Sequence, residues 1–559
     1  MFPRTRWPVV FACAVSTLWG SASYAVAPTL SGIFPGGGQR GTTFEVTLMG
    51  KFDGSPRGIW VEGDGVVIEP PDAKGLAKVR IDATAKPGLR LVRAWNAEGV
   101  SAVRWFAVGS GAEVTEVEPN DGLSPAQSFE SLPVCINGRL EKAGDVDNFS
   151  FALKEGETLS ATVDAYSLGS PLDAMLHLLD EKGTRLATAS DARNLDPMLA
   201  FKAPKTGNYL LQLVGFVHPP AADVRFTGGA NVVYRLTVSR SPIPVQLRPA
   251  VIALGQKSSP HGIGIDGKDT GEVPVSVDLL ANEEGVQTIS GAPLIQPVQA
   301  FATKQKITLE KEPNEAAGKG MAITLPGVIA GQISSATDKD VFVFSGKKGQ
   351  RIQAQVIAAL LGHPMDAQVQ FLAMDGKVLT SNDDAPDLAS DASATLTLPA
   401  DGSYQVMVSD LFQKGGPRAD YVLSVGEEQP SFTGTFTTEP KLIVKAGAKT
   451  EVAVKVSLKG GWKGPLVLRA HDLPVGVICD PMDIPEKGGE VKLALATTAN
   501  AAPWSGPFRI TIGPKDATNA ATPSLIQYAL RDSDNRRGTS LKDTSAWAWL
   551  TVTPAAAGK

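Results

Sequence analysis

Short runs of alternating apolar and polar residues recur along the whole chain. FEVTLMG (44–50), NFSFALKEGETLSATVDAY (148–166) and EVAVKVSLKG (451–460) are the clearest. A period of two sends successive side chains to opposite faces of a strand, so each run reads as a strand half buried in a sandwich. Helical periodicity is nearly absent. Gly, Pro, Asn and Asp bound the runs, and 57 glycines with 40 prolines supply turns throughout. The expected class is all-β, a multidomain string of β-sandwiches arranged like beads.

Length agrees with several beads. At 559 residues the chain exceeds one core and divides into roughly three to five domains. With 43% hydrophobic residues it buries real cores. A net charge of −5 and no basic stripe argue against nucleic acid as a partner.

An internal duplication organises the middle of the chain. EVEPND (116–121) matches EKEPNE (310–315), and GDVDNFSFALKEGE (144–157) matches TDKDVFVFSGKKGQ (337–350). GSPLDAMLHLLDEKG (169–183) then matches GHPMDAQVQFLAMDG (362–376), and TGNYLLQLV (206–214) matches DGSYQVMVS (401–409). FTGGANVVYRLTVS (226–239) and FQKGGPRADYVLSV (412–425) close the two copies. Phe149 and Phe151, like Phe342 and Phe344, alternate on one face and should fill a core. Gly156 and Gly349 serve the turns that follow, Tyr209 and Tyr404 are corner or core residues, and Tyr234 and Tyr421 begin the last strand.

Taken together, the E-P-N opening, the D-x-D-x-F signature, the G-x-Y strand and the closing Y-x-L-x-V strand resemble the bacterial pre-peptidase C-terminal (PPC) domain. That module is appended to secreted proteases and multidomain surface proteins, and is related to the collagen-binding domains of clostridial collagenases. The resemblance implies jelly-roll-like sandwiches at 116–240 and 306–427. Residues 28–109, opening PTLSGIFPGGGQRGTTFEVTLMGKF with Pro35, Gly41, Thr42, Gly50 and Phe52 in fitting positions, are similar to IPT/TIG immunoglobulin-like domains. Residues 241–305 read as a β-rich connecting segment. Residues 431–559, with KLIVKAG, GEVKLALATT and PFRITIG, read as an immunoglobulin-like sandwich on pattern alone.

The acidic hexapeptides carry the candidate chemistry. Glu116, Glu118, Asn120 and Asp121 bring four oxygen-bearing side chains into six residues, and Asp145 and Asp147 add two more. The second copy offers Glu310, Glu312, Asn314, Asp338 and Asp340. Calcium takes six to eight hard oxygen ligands, and no His or Cys lies in either cluster to suit zinc or copper. The collagen-binding relatives hold calcium through an E-x-E-x-N-D segment plus aspartates of a following loop, so the resemblance implies a calcium site at these positions. The second copy departs at Glu315, whose longer arm weakens the match there. The competing reading is a linker in which Pro fixes φ, Asn and Asp make local turns and the acids stay solvated.

Elsewhere the chemistry is sparse. The five histidines, at 177, 218, 261, 363 and 471, form no H-E-x-x-H motif, and there is no G-x-S-x-G elbow. Asp173 and Asp366 are expected to fix turns. Trp60, Trp95, Trp105, Trp462, Trp504, Trp547 and Trp549 serve cores or, less often, ligand platforms. Cys135 and Cys479 read as buried apolar thiols in different domains.

Arg4 and Arg6, the apolar stretch Trp7 to Trp19 and the small residues Ser23 and Ala25 read as a signal peptide over residues 1–25. No later stretch is long and apolar enough for a transmembrane segment. The sequence is therefore read as an exported, non-catalytic protein that binds an extracellular protein or polysaccharide. The alternative is an accessory or processing region for secreted hydrolases.

Overall fold

Alternation along the strands becomes layered sheets in a computed structural model of the chain. It describes residues 26–555 apart from 54–56, 125, 221–224, 276–283, 316–319, 387, 517–520 and 532–541. The signal peptide expected over residues 1–25 lies outside the described residues. Among the described residues there is no α-helix, and none long and apolar enough to cross a membrane.

Residues 29–109 form a four-stranded and a five-stranded sheet closed over Leu30, Val46, Val79, Val92 and Phe106. The stretch Gly36–Gly38 has a packing reason: a Cβ on Gly37 would lie 1.9 Å from the Arg235 guanidinium of the next module. Glycine is needed there for two domains to touch.

Residues 113–239 build two five-stranded sheets. One runs Glu113–Thr115, Val134–Arg139, Val233–Ser239, Thr158–Asp164, Met198–Lys202; the other runs Gln127–Ser128, Asp147–Leu153, Gly207–Val217, Leu172–Asp180, Arg185–Ala189. Residues 307–427 repeat this order strand for strand, from Ile307–Leu309 beside Gly327–Gln332 to Ala367–Leu372 beside Val378–Asn382. Phe149, Phe151, Phe342 and Phe344 all sit in the two cores as their alternation requires. Burying each contributes ~1.5–3 kcal/mol. The Tyr209 and Tyr404 hydroxyls close corners by donating to the carbonyls of Lys205 and Ala400, both at 2.8 Å.

Two readings of single residues change. Asp173 lies inside the strand Leu172–Asp180 opposite Phe216, not in a turn. Asp366 stands just before Ala367–Leu372, where its carbonyl accepts from the Leu411 amide. At the equivalent turns of the two repeats Asp196 and Asp391 do that work instead. The Asp196 carboxylate accepts from the amides of Ala165, Tyr166 and Ser167, and that of Asp391 from Ala358, Ala359 and Leu360.

The segment 241–305 is more than a connection. It forms two three-stranded sheets around Leu247, Ile252, Val273, Ile289 and Val298. The last domain pairs a sheet containing Lys449–Lys459 and Gly489–Thr497 with one containing Ala548–Thr553 and Trp504–Pro514.

The string folds back so that its first and last domains meet. Trp60 packs edge to face on Trp547 and Trp549, at centroid distances of 5.7 and 6.0 Å. The buried Arg93 donates to Glu439 and to the Tyr528 hydroxyl, both at 2.7 Å. Arg531 lies between the rings of Trp105 and Tyr166 and donates to the Tyr166 carbonyl. Four of the seven tryptophans among the described residues therefore serve this closure, since Trp105 also donates to the Lys542 carbonyl.

Candidate metal centre

The acidic hexapeptide is fastened to the sandwich rather than left as a tether. The Glu113–Thr115 strand runs parallel to Val134–Arg139, and the Glu116 amide extends that pairing to the Asn137 carbonyl at 3.0 Å. Farther on, Asn148 donates from its side chain to the carbonyls of Asn120 and Asp121, at 3.2 and 2.9 Å. The Asn120 amide donates to Glu118 at 2.9 Å, a local turn of the kind expected from E-P-N. Asp147 begins the strand that enters the core and is fully buried.

These anchors bring two overlapping carboxylate triads together. Glu116, Glu118 and Asp147 form one, and Glu118, Asp121 and Asp145 the other; within each, one oxygen per residue lies within 4.8 Å of the rest. Glu118 is shared. The second module repeats the plan with Glu310, Glu312 and Asp340, and with Glu312, Glu315 and Asp338. Glu315, the position where the second hexapeptide departs from the first, reaches its cluster despite the longer arm. Asn120 and Asn314 are 1% exposed beneath the clusters.

Tyr234 is the residue that sequence reading assigned to scaffold alone. Its hydroxyl lies 2.8 Å from Glu116 and 2.5 Å from Asp147. One phenolic hydrogen cannot serve two carboxylates, so without a cation one of the acids must hold a proton. Burial, mutual repulsion and the neighbouring acids accordingly push Asp147 far above the ordinary carboxylate range, and burial raises Glu116. In the second module Tyr421 donates to Asp340 at 2.6 Å, and burial raises Asp340 and Glu310.

Orphaned atoms say more than the acids do. Oε1 of Glu118, Oδ1 of Asp147, both side-chain atoms of Asn120 and Oδ1 of Asp340 are buried without a hydrogen-bond partner. Buried polar atoms left this way cost about 1–3 kcal/mol each, which a bound cation would relieve where the atom is oxygen. Among the described residues the one cation paired with the first cluster is the exposed Lys142, 3.2 Å from Asp121 and 3.5 Å from Asp145. The donor set is all oxygen, suited to a hard divalent ion.

The sequence signal that could have found Tyr234 is a glycine. Gly138 and Gly331 sit in mid-strand, directly opposite Tyr234 and Tyr421. Their missing Cβ atoms leave room for the ring to lean toward the carboxylates.

The histidines stay outside this chemistry. His177 is buried in its strand against Thr188, and the buried His363 faces the Asp420 carbonyl at 2.7 Å.

Residues 145–215 match the sequence model of the bacterial pre-peptidase C-terminal domain. The chain contains a pre-peptidase C-terminal domain. Its matched stretch opens on Asp145 and Asp147 and closes in the strand that pairs with Asp147–Leu153. A probable subtilase-type serine protease of Deinococcus radiodurans is 30% identical over 202 residues, 32% of this chain and 27% of the protease. The match thus spans little more than a quarter of that relative. The pre-peptidase C-terminal domain of a Bacillus anthracis collagenase superposes over 99% of its own length and 21% of this chain, with 17% identity and a TM-score of 0.17. A Salmonella alpha-2-macroglobulin mutant covers 95% of this chain with 47% of its own length, at 10% identity and a TM-score of 0.15.

Proposed function

We propose that the chain is an exported, non-catalytic binding protein whose two central sandwiches are tandem pre-peptidase modules, each ordered by calcium. The single observation behind the calcium reading is the pair of orphaned, fully buried carboxylate oxygens on Asp147 and Asp340, each facing further acids. The identical strand order of the two sandwiches supports treating both alike.

Calcium would supply the positive charge that lets all the clustered acids ionise together. Glu116, Glu118 and Asp147 would hold one ion, and Glu118, Asp121 and Asp145 a second. The Tyr234 hydroxyl would then donate to a single carboxylate. The chain's own residues carry that ordering outward. Glu116 accepts from the Arg139 amide at 2.6 Å, and the Arg139 guanidinium lies 4.7 Å above the Phe34 ring of the first domain. Order at the acidic centre therefore sets the angle between the first domain and the module behind it.

A second reading is favoured by the stretch shared with the subtilase-type protease. It makes the chain a partner region that works beside a secreted peptidase, holding it to a protein or polysaccharide surface.

Unfolding of the full chain with calcium and with EGTA, for wild type and for Asp145→Ala with Asp147→Ala, tests the metal. A calcium-dependent rise in the wild-type midpoint that the double variant reduces is expected; superimposable curves would sink the proposal. Retention on collagen, peptidoglycan and polysaccharide matrices tests the binding role, and passage through all of them would count against it.

A further inference from the structure

A clasp of charged side chains joins the middle segment to the second module. Arg248, closing the strand Pro244–Arg248, donates from Nε and Nη2 to the two oxygens of Asp420, at 2.6 and 2.8 Å, and from Nη2 to the Pro417 carbonyl at 2.6 Å. Gln246 of the same strand donates to Asp420 as well. Arg418 reaches the other way, to the Gln246 side chain and the Ile265 carbonyl, both at 3.4 Å. Two guanidinium groups therefore gather around one buried carboxylate.

His363 sits against the same strand end. It is buried, and its Nδ1 stands 2.7 Å from the Asp420 carbonyl. A carbonyl only accepts, so Nδ1 holds the ring's hydrogen and Nε2 keeps a lone pair. That Nε2 is buried without a hydrogen-bond partner among the described residues. A second proton would have to sit there, with no acceptor, and its charge would join Arg248 and Arg418 around Asp420. Arg193 of the first module adds positive charge beside Arg418. Burial first, and then the two arginines, hold the ring below the ordinary histidine value, although Asp420 pulls the other way.

Two acids nearby titrate with the opposite sign. Asp391, which caps the turn leading into His363, is pushed up to about 6 by burial, and burial raises Asp366, three residues on. A raised acid favours the fold toward low pH, whereas a lowered histidine disfavours it. The matching position of the first module holds Ser170, which takes up no proton.

We propose that His363 is an acid-sensitive release for this clasp: protonating its Nε2 loosens Arg248 from Asp420 and frees the middle segment to turn against the second module. The two stay joined, because Ala250 and Val251 pack with Val328, Ile357 and Val422 in a shared apolar cluster. A released ring takes its proton near the ordinary value of about 6.5 and the clasped ring only below it, so the clasp is whole at neutral pH and weakens as pH falls past that value. The device stands apart from the acidic centres and needs no metal.

Hydrogen–deuterium exchange of the full chain in EGTA tests this, with amide rates corrected for their intrinsic dependence on pH. Without calcium the raised carboxylates of the acidic centres gain stability toward acid, so they cannot produce a loosening. Between about pH 7.5 and about pH 5 the wild type should exchange at least about ten-fold faster at residues 244–248 and 416–420, the ratio that one pH unit of preferential protonation gives, and the strands of the first module should not. His363→Asn, which offers an amide donor in place of Nδ1 and takes no proton, should keep the slow rate at both pH values; Arg248→Ala should show the fast rate at both. An equal acid response in His363→Asn, no response in the wild type, a response spread evenly over the chain, or a slow rate in Arg248→Ala would each overturn the proposal. Should His363→Asn fail to fold, exchange of the C2 hydrogen of the wild-type imidazole decides: its titration midpoint should coincide with the amide response, and a midpoint well apart from it would overturn the proposal.

Discussion

Gly138 stands directly opposite Tyr234 across a strand pair, and a Cβ on residue 138 would fall 2.1 Å from the tyrosine ring. The neighbouring atoms belong to a phenol that holds two acids in place, so the glycine is a condition of the site. Gly138→Ala should force the ring away from Glu116 and Asp147. Overpacking of this kind costs about 1–3 kcal/mol, read from denaturant unfolding, and calcium affinity should fall with it. Gly331→Ala should do the same to Tyr421, whose ring is 2.4 Å from the equivalent point.

Cation-free protein should lose stability as pH rises. Glu116 and Asp147 are pushed up to about 7 and about 9 in the folded state, against ordinary values near 4. The folded chain then binds more protons than the unfolded chain, so stability falls from about pH 4 upward and levels off above about pH 9. Calcium should flatten this slope. Melting midpoints measured across that range in EGTA and in calcium check the sign, and a midpoint rising with pH in EGTA would contradict it.

Asp147→Asn should act in opposite directions in the two conditions. In EGTA near pH 8 the amide enters the buried site without a proton, so the variant should melt at or above the wild type. In saturating calcium it should melt below, having lost a ligand. Ligand-linked stabilisation is about 2.7 kcal/mol when calcium stands at ~100 times its dissociation constant, which sets the scale of the loss.

Arg139→Ala should uncouple the acidic centre from the first domain while leaving the metal in place. The guanidinium on Phe34 contributes on the order of 1 kcal/mol, and the Glu116 contact is to backbone, which alanine retains. Calcium affinity by titration calorimetry should be unchanged. Small-angle scattering should lose its calcium dependence.

Arg93→Ala should loosen the closure of the chain. It removes charged hydrogen bonds to Glu439 and Tyr528, worth about 1.5–3 kcal/mol each, without touching either central module. Faster trypsin cleavage near the Trp60 face, with the calcium response intact, is the expected result.

Much of this was legible in the chain and some was not, for identifiable reasons. Alternation located the strands because a half-buried strand must alternate, and the recurring E-P-N and D-x-D landmarks marked the acids that converge. Tyr234 escaped because a tyrosine opening a core strand looks the same whether or not its hydroxyl meets an acid 87 residues earlier. Gly138 escaped with it, since a mid-strand glycine carries no sign of what lies opposite. The middle segment seemed too short for its own core, yet Leu247, Ile252, Val273 and Val298 close one with two three-stranded sheets. The meeting of the end domains was hidden because Trp60 and Trp547 satisfy a core pattern equally well.

That meeting also orders events during synthesis. Arg93 finds Glu439 only after 346 further residues have been made, and Trp105 meets Lys542 after 437. Until then Trp60 lacks its two tryptophan partners and the Arg93 guanidinium keeps only the Ser101 carbonyl of its own domain. A newborn chain is thus open to proteases and to wrong pairing at the 29–109 domain until the sandwich after residue 431 emerges, and that later sandwich acts as the latch that ends this exposure.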